Sequence, residues 1–134
     1  MRKALVRRAG LLCLLIIAGV AALLLTKRSG NAAGLPAQVG DCSDTTIKTI
    51  GTRLDGVPGS GSMMTFSNGG QQVGYDTVAA IEASRVGDAV RMCLVSLPQN
   101  CPPGDNRGRV YRTTNLRTNQ SWERADSSHI CGGA

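Results

Sequence analysis

The chain is poor in aromatic rings, in histidine and, over its first 28 residues, in acid. One Phe, one Trp and two Tyr are all the aromatic side chains in 134 residues, and His129 is the single His. A core built here needs aliphatic, Met and Thr side chains to fill it, and imidazole chemistry has one candidate. No C-x-x-C pair occurs, which withholds the ligand spacing of structural zinc sites. No G-x-S-x-G occurs, since Gly59-Ser60-Gly61-Ser62 has the wrong spacing, and the same stretch is not a G-x-G-x-x-G phosphate loop. The length suits one domain and excludes two independent ones or a repeat array.

The missing acid distorts the formal charge of +6. Six of the 15 basic residues (Arg2, Lys3, Arg7, Arg8, Lys27 and Arg28) fall in that acid-free start, which leaves nine basic and nine acidic residues beyond it. A neutral domain lacks the excess of Lys and Arg that phosphate contacts need, so nucleic acid is not an expected partner.

What is present first is an address. Four positive charges precede residues 9–25, an uncharged apolar run, and Lys27 and Arg28 follow it. That is the pattern of an export signal or of a signal-anchor helix over residues 1–28, with the N-terminus in the cytoplasm. Val20-Ala21-Ala22 and Ala32-Ala33-Gly34 both offer small residues for cleavage, so cleaved and anchored forms both stand. Cys13, early in the run and preceded by Leu12, reads as a small apolar residue rather than a lipid-attachment site. Residues 29–40, rich in Gly, Ala, Ser and Pro, read as a flexible tether to a domain over 41–134.

Cys42, Cys93, Cys101 and Cys131 are an even set in an exported domain, which predicts two disulfides. The favoured pairing is Cys93–Cys101, which closes a short loop containing Pro98, with Cys42–Cys131, which ties the two ends of the domain together; Cys42–Cys93 with Cys101–Cys131 is the close alternative. His129 and Cys131 lie two apart, but the spacings argue for disulfides over a metal; no metal and no cofactor is expected.

Across the domain the pattern is mainly β. Residues 45–54 read as a strand with a bulge near Gly51, or as a short helix capped by Asp44, because Ile47 and Ile50 are out of step. Residues 63–67 and 71–76 flank Asn68-Gly69, a hairpin signal in which both turn positions would take φ > 0. Residues 77–84 read as a two-turn helix capped by the Asp76-Thr77 pair, 89–97 as the central strand, and 109–114 with 121–125 as a closing hairpin. A short helix between the third and fourth strands is the element order of an OB-type barrel, so the expected fold is a small disulfide-stapled β-barrel with OB-like order.

Candidate chemistry is sparse. Ser127, Ser128 and Asp126 neighbour His129 in sequence, but a triad is defined by geometry. Asp76, Asp88, Asp105 and Asp126 sit at element boundaries, where turn and cap roles suffice. Arginine is uneven: Arg107, Arg109, Arg112, Arg117 and Arg124 fall close together. With Tyr111 and Trp122, the set Arg109, Arg112 and Arg117 is the expected contact face for an anionic or glycan ligand, against a solvated hairpin with cross-strand ion pairs. Asn119-Gln120-Ser121 matches a glycosylation sequon, which matters only in a eukaryotic secretory pathway.

The strings I-G-T-R-L (50–54), N-G-G-Q-Q-V-G-Y-D (68–76), G-D-A-V-R-M-C-L (87–94), C-P-P-G-D (101–105), R-G-R-V-Y (107–111), T-N-L-R-T (114–118) and H-I-C-G-G-A (129–134) resemble a group of small exported bacterial proteins, of proteobacterial type and unassigned function. The resemblance implies an envelope protein with the four cysteines as its framework and brings no activity. Three functions follow as expectations. The first is a non-enzymatic periplasmic or inner-membrane-anchored domain binding an envelope protein or an anionic glycan. The others are a small hydrolase using His129 and a structural component anchored through residues 9–25.

Overall fold

A computed structural model describes residues 34–133, and the expected signal or anchor helix over 1–28 lies outside them. Among the described residues no helix is long and apolar enough to cross a membrane. The elements are β1 (Cys42–Thr52), β2 (Ser62–Phe66), β3 (Gln71–Gly74), α1 (Ala79–Glu82), β4 (Ala89–Ser96), β5 (Val110–Asn115) and β6 (Ser121–Ala125). The strands close into a barrel in the order β1-β2-β3-β6-β5-β4, antiparallel at every join. The helix falls between the third and fourth strands as OB-like order expects, while a complete closing hairpin makes six strands instead of the OB-fold's five.

Strict alternation explains β4, whose Val90, Met92 and Leu94 are buried between outward Arg91 and Cys93. Each such side chain removed from water contributes about 1.5–3 kcal/mol. In β1 the register shifts between Ile47 and Thr49, so the bulge lies at Lys48 and not near Gly51. The extra residue corrects the odd spacing: Ile47 is buried and Ile50 also packs on the core. The helical alternative for 45–54 is overturned by this ladder.

The β2–β3 hairpin forms with a different turn. Gly69 N–H donates to Phe66 C=O (3.1 Å) and Phe66 N–H to Gly70 C=O (2.9 Å), giving a three-residue loop. Only Gly69 has positive φ (85°), as in a type I turn with a bulge, so Asn68 needs none. Asn68 instead accepts from Gly70 N–H and donates to Ser43 Oγ, tying the turn to β1. α1 is a single turn, shorter than expected, and its N-cap is Val78 without a side-chain cap. Asp76 is not a cap; it pairs with Arg124.

The disulfides are Cys42–Cys93 and Cys101–Cys131, which corrects the favoured pairing. The short Pro98 loop is not closed because Cys42 and Cys93 are direct cross-strand partners of β1 and β4. Cys101, on the β4–β5 loop, pins the C-terminal tail through Cys131. Two disulfides fit an oxidising, non-cytoplasmic compartment.

Both barrel ends are plugged. Leu35 packs against the core, Pro36 is buried, and the Tyr111 hydroxyl donates to Pro36 C=O (3.4 Å), so part of the expected tether belongs to the barrel. At the other end Asp88 gathers three elements. It accepts from Arg117 (Nε–Oδ1 2.7 Å, Nη2–Oδ2 2.8 Å), from buried Asn115 (2.8 Å) and from Arg85 N–H (2.9 Å). Arg117 first, then Asn115, hold the Asp88 carboxyl well below the usual carboxylate range; Arg107 and the Gly132 N–H do the same for Asp105. A depressed folded pKa stabilises above the unfolded value and loses that contribution as pH falls toward the folded one. Stability should therefore drop below about pH 4. In urea titrations the wild-type and Asp88→Asn midpoints should converge on acidification; parallel midpoints would refute the role of Asp88.

Candidate functional site

The five residues expected to form one contact face are divided among four places. Tyr111 (0 % exposed) and Trp122 (5 % exposed) point into the core, as alternation on β5 and β6 requires once Arg112 and Glu123 point out. Burial raises the Tyr111 pKa, opposed by the adjacent Arg109. Arg112 pairs on the outer wall with cross-strand Glu123 (2.5 Å), Arg91 likewise with Asp44 (2.8 Å), and Arg117 belongs to the Asp88 lock. Arg109 lines an open depression of about 560 Å³ with Pro103, Asp105, Arg107 and Asp126. There Arg107 is held by Asp105, and one Asp126 oxygen accepts from Gly108 and Arg109 N–H.

Ser127 Oγ accepts from the His129 backbone N–H (3.3 Å), a local turn in the tail. Among the described residues no group of three His, Cys, Asp or Glu is placed to hold a metal.

The imidazole instead meets Tyr75. The two rings lie edge to face, with centroids 6.5 Å apart and planes at 77°. The Arg53 guanidinium covers the Tyr75 ring at 4.2 Å. Arg53 comes from the β1–β2 loop, Tyr75 from the residue after β3, and His129 from the tail that Cys131 pins. All three are at least partly exposed, Tyr75 at 56 %.

Local backbone chemistry builds this cluster. The β1–β2 loop is tied to itself: Ser60 Oγ accepts from Leu54 N–H (3.0 Å) and donates to Val57 C=O (2.8 Å), and Arg53 Nε donates to Ser60 C=O (2.8 Å). The loop returns through Gly61 (φ 110°), where a Cβ would strike Gly74 O and the Tyr75 backbone. Gly74 is equally close to Arg124: a Cβ there would stand 2.7 Å from Arg124 Nε. Arg124 thus crosses β3 to reach Asp76, leaving its Nε buried without a hydrogen-bond partner among the described residues. Gly61→Ala should cost about 2–3 kcal/mol from the left-handed φ and the backbone collision. A denaturation midpoint equal to wild type would refute this packing.

Arg53 and Tyr75 lie 22 residues apart with no shared motif; the return of the β1–β2 loop through Gly61 and the register of β2 on β3 bring them together. Comparison of the chain with protein-family models, with curated proteins and with solved structures finds no match.

Proposed function

We propose that the protein is an exported, non-catalytic binding domain of a bacterial envelope, periplasmic or held at the inner membrane by residues 9–25, whose partner is an envelope protein or an anionic glycan. The observation that carries this reading is the Arg53–Tyr75–His129 cluster, a cation and two rings on the outer wall, in a domain whose other exposed arginines are largely neutralised by acids. The two disulfides support export. The kinship with small exported proteobacterial proteins belongs to the same reading, as does an OB-like ancestry with one added strand. In OB-type barrels the β2–β3 face and the β1–β2 loop carry oligosaccharide or oligonucleotide contacts, and Arg53 and Tyr75 lie on the corresponding elements; fold alone does not assign the ligand.

The test is equilibrium binding of the purified full-length protein to separated envelope glycan and membrane-protein fractions. Saturable binding to either, weakened in His129→Ala, is the expected result. Absence of saturable binding to both overturns the proposal. Localisation is checked by intact mass after alkylation without reduction, with Cys42, Cys93, Cys101 and Cys131 expected to remain unmodified.

A further inference from the structure

Resting on that binding reading, we infer that Arg53 is the receptor for the carboxylate of an acidic saccharide, with Tyr75 and His129 as the platform for the sugar ring. The described chain holds eight arginines. Five face acids: Arg91, Arg107, Arg112, Arg117 and Arg124. Arg109 lies against the Tyr111 hydroxyl, and Arg85 stands exposed on the surface.

Arg53 is different because it is fixed in place without an acid. Its Nε is spent on Ser60 C=O and one face of its guanidinium on the Tyr75 ring. Its two Nη nitrogens make no hydrogen bond to the described residues. A guanidinium presents paired N–H groups that match the two oxygens of a carboxylate. Ordering a long side chain on binding normally costs affinity, and here two contacts have already ordered it.

The surroundings favour a saccharide over a protein side chain. Residues that dominate protein interfaces sit in desolvated pockets ringed by contacts that exclude water. Tyr75 and His129 instead form an exposed edge-to-face pair, which offers ring surface to the C–H face of a pyranose ring. The neutral domain has no broad positive field to draw polyanions in general, so recognition falls to one carboxylate.

The full-length protein is titrated calorimetrically with tetrasaccharides of galacturonate, glucuronate and mannuronate, with their methyl esters, and with tetraglutamate. At least one uronate should bind saturably, and its ester about tenfold more weakly, the scale of a charge-assisted hydrogen-bond pair. Arg53→Gln and Arg53→Lys should each lose about tenfold, the second because an ammonium cannot supply the fork. Arg112→Gln should match wild type, since Arg112 already faces Glu123. Tyr75→Leu should weaken binding with Arg53 still present, which keeps the site testable if an Arg53 variant misfolds by near-ultraviolet circular dichroism. Equal affinity for ester and acid, for Arg53→Gln and wild type, or for tetraglutamate and the best uronate overturns the inference. No binding to any uronate also overturns it, and saturable binding to envelope fractions then shows that the broader reading survives without it.

Discussion

Replacing Gln72 by leucine should cost the barrel about 3–5 kcal/mol, because two or more buried polar groups lose their partners at about 1–3 kcal/mol each. Gln72 is 1 % exposed and makes four hydrogen bonds. Its Nε2 donates to Tyr111 C=O (2.7 Å) and Arg124 C=O (3.2 Å). Its Oε1 accepts from Thr113 Oγ1 (2.8 Å) and Trp122 Nε1 (2.9 Å). β3 and β6 share only the pair Val73 and Ala125, the thinnest join of the barrel, and this side chain links β3 to β5 and β6 at that seam. Leucine is near glutamine in volume, so the loss is polar and not a cavity. Urea denaturation followed by the emission of the sole tryptophan, Trp122, reads it directly. A midpoint shift equivalent to less than about 1 kcal/mol would mean that backbone pairing holds the seam without Gln72.

Opening the disulfides should have comparable effects at different places. The bridges span 51 and 30 residues, and loop closure in the unfolded chain assigns them about 4 and about 3.5 kcal/mol. Against the 5–15 kcal/mol typical of a whole domain, either loss is large. The Cys42→Ser/Cys93→Ser variant should lower the cooperative midpoint of the entire barrel, because those residues face each other across β1 and β4. The Cys101→Ser/Cys131→Ser variant should also free the tail that carries His129. Hydrogen exchange at residues 127–133 should then rise well above the rise in β4 and β5. Uniform exchange across the two variants would show that the second bridge does not localise the tail.

Much of the barrel was readable from alternation and turn chemistry. The apolar run of β4, the hairpin around Asn68-Gly69 and the position of the short helix each depend on residues close in sequence. What escaped depends on residues far apart. The pairing of Cys42 with Cys93 is a matter of strand register, and so is the hydrogen-bonding of Gln72, which reads locally as an ordinary polar strand residue. That the five residues expected on one face do not share it was readable in advance: Tyr111 and Arg112 are neighbours in one strand, so period-2 alternation sends them to opposite sides. Arg53 and Tyr75 carried no such signal. Their meeting is set by where the β1–β2 loop passes Gly61, a contact between backbones.

The disulfide pattern also bears on how the chain is made. Each cysteine of the domain bonds to the next one in order, the first to the second and the third to the fourth. For a chain threaded N-terminus first into an oxidising space, an oxidant that joins thiols as they emerge arrives at the native bonds by default. Cys42 has found Cys93 before Cys101 appears, and no wrong bond has to be shuffled. The nested pattern would require the first cysteine to wait for the last. If the protein is exported as proposed, its maturation should accordingly need a thiol oxidase and be indifferent to the loss of a disulfide isomerase.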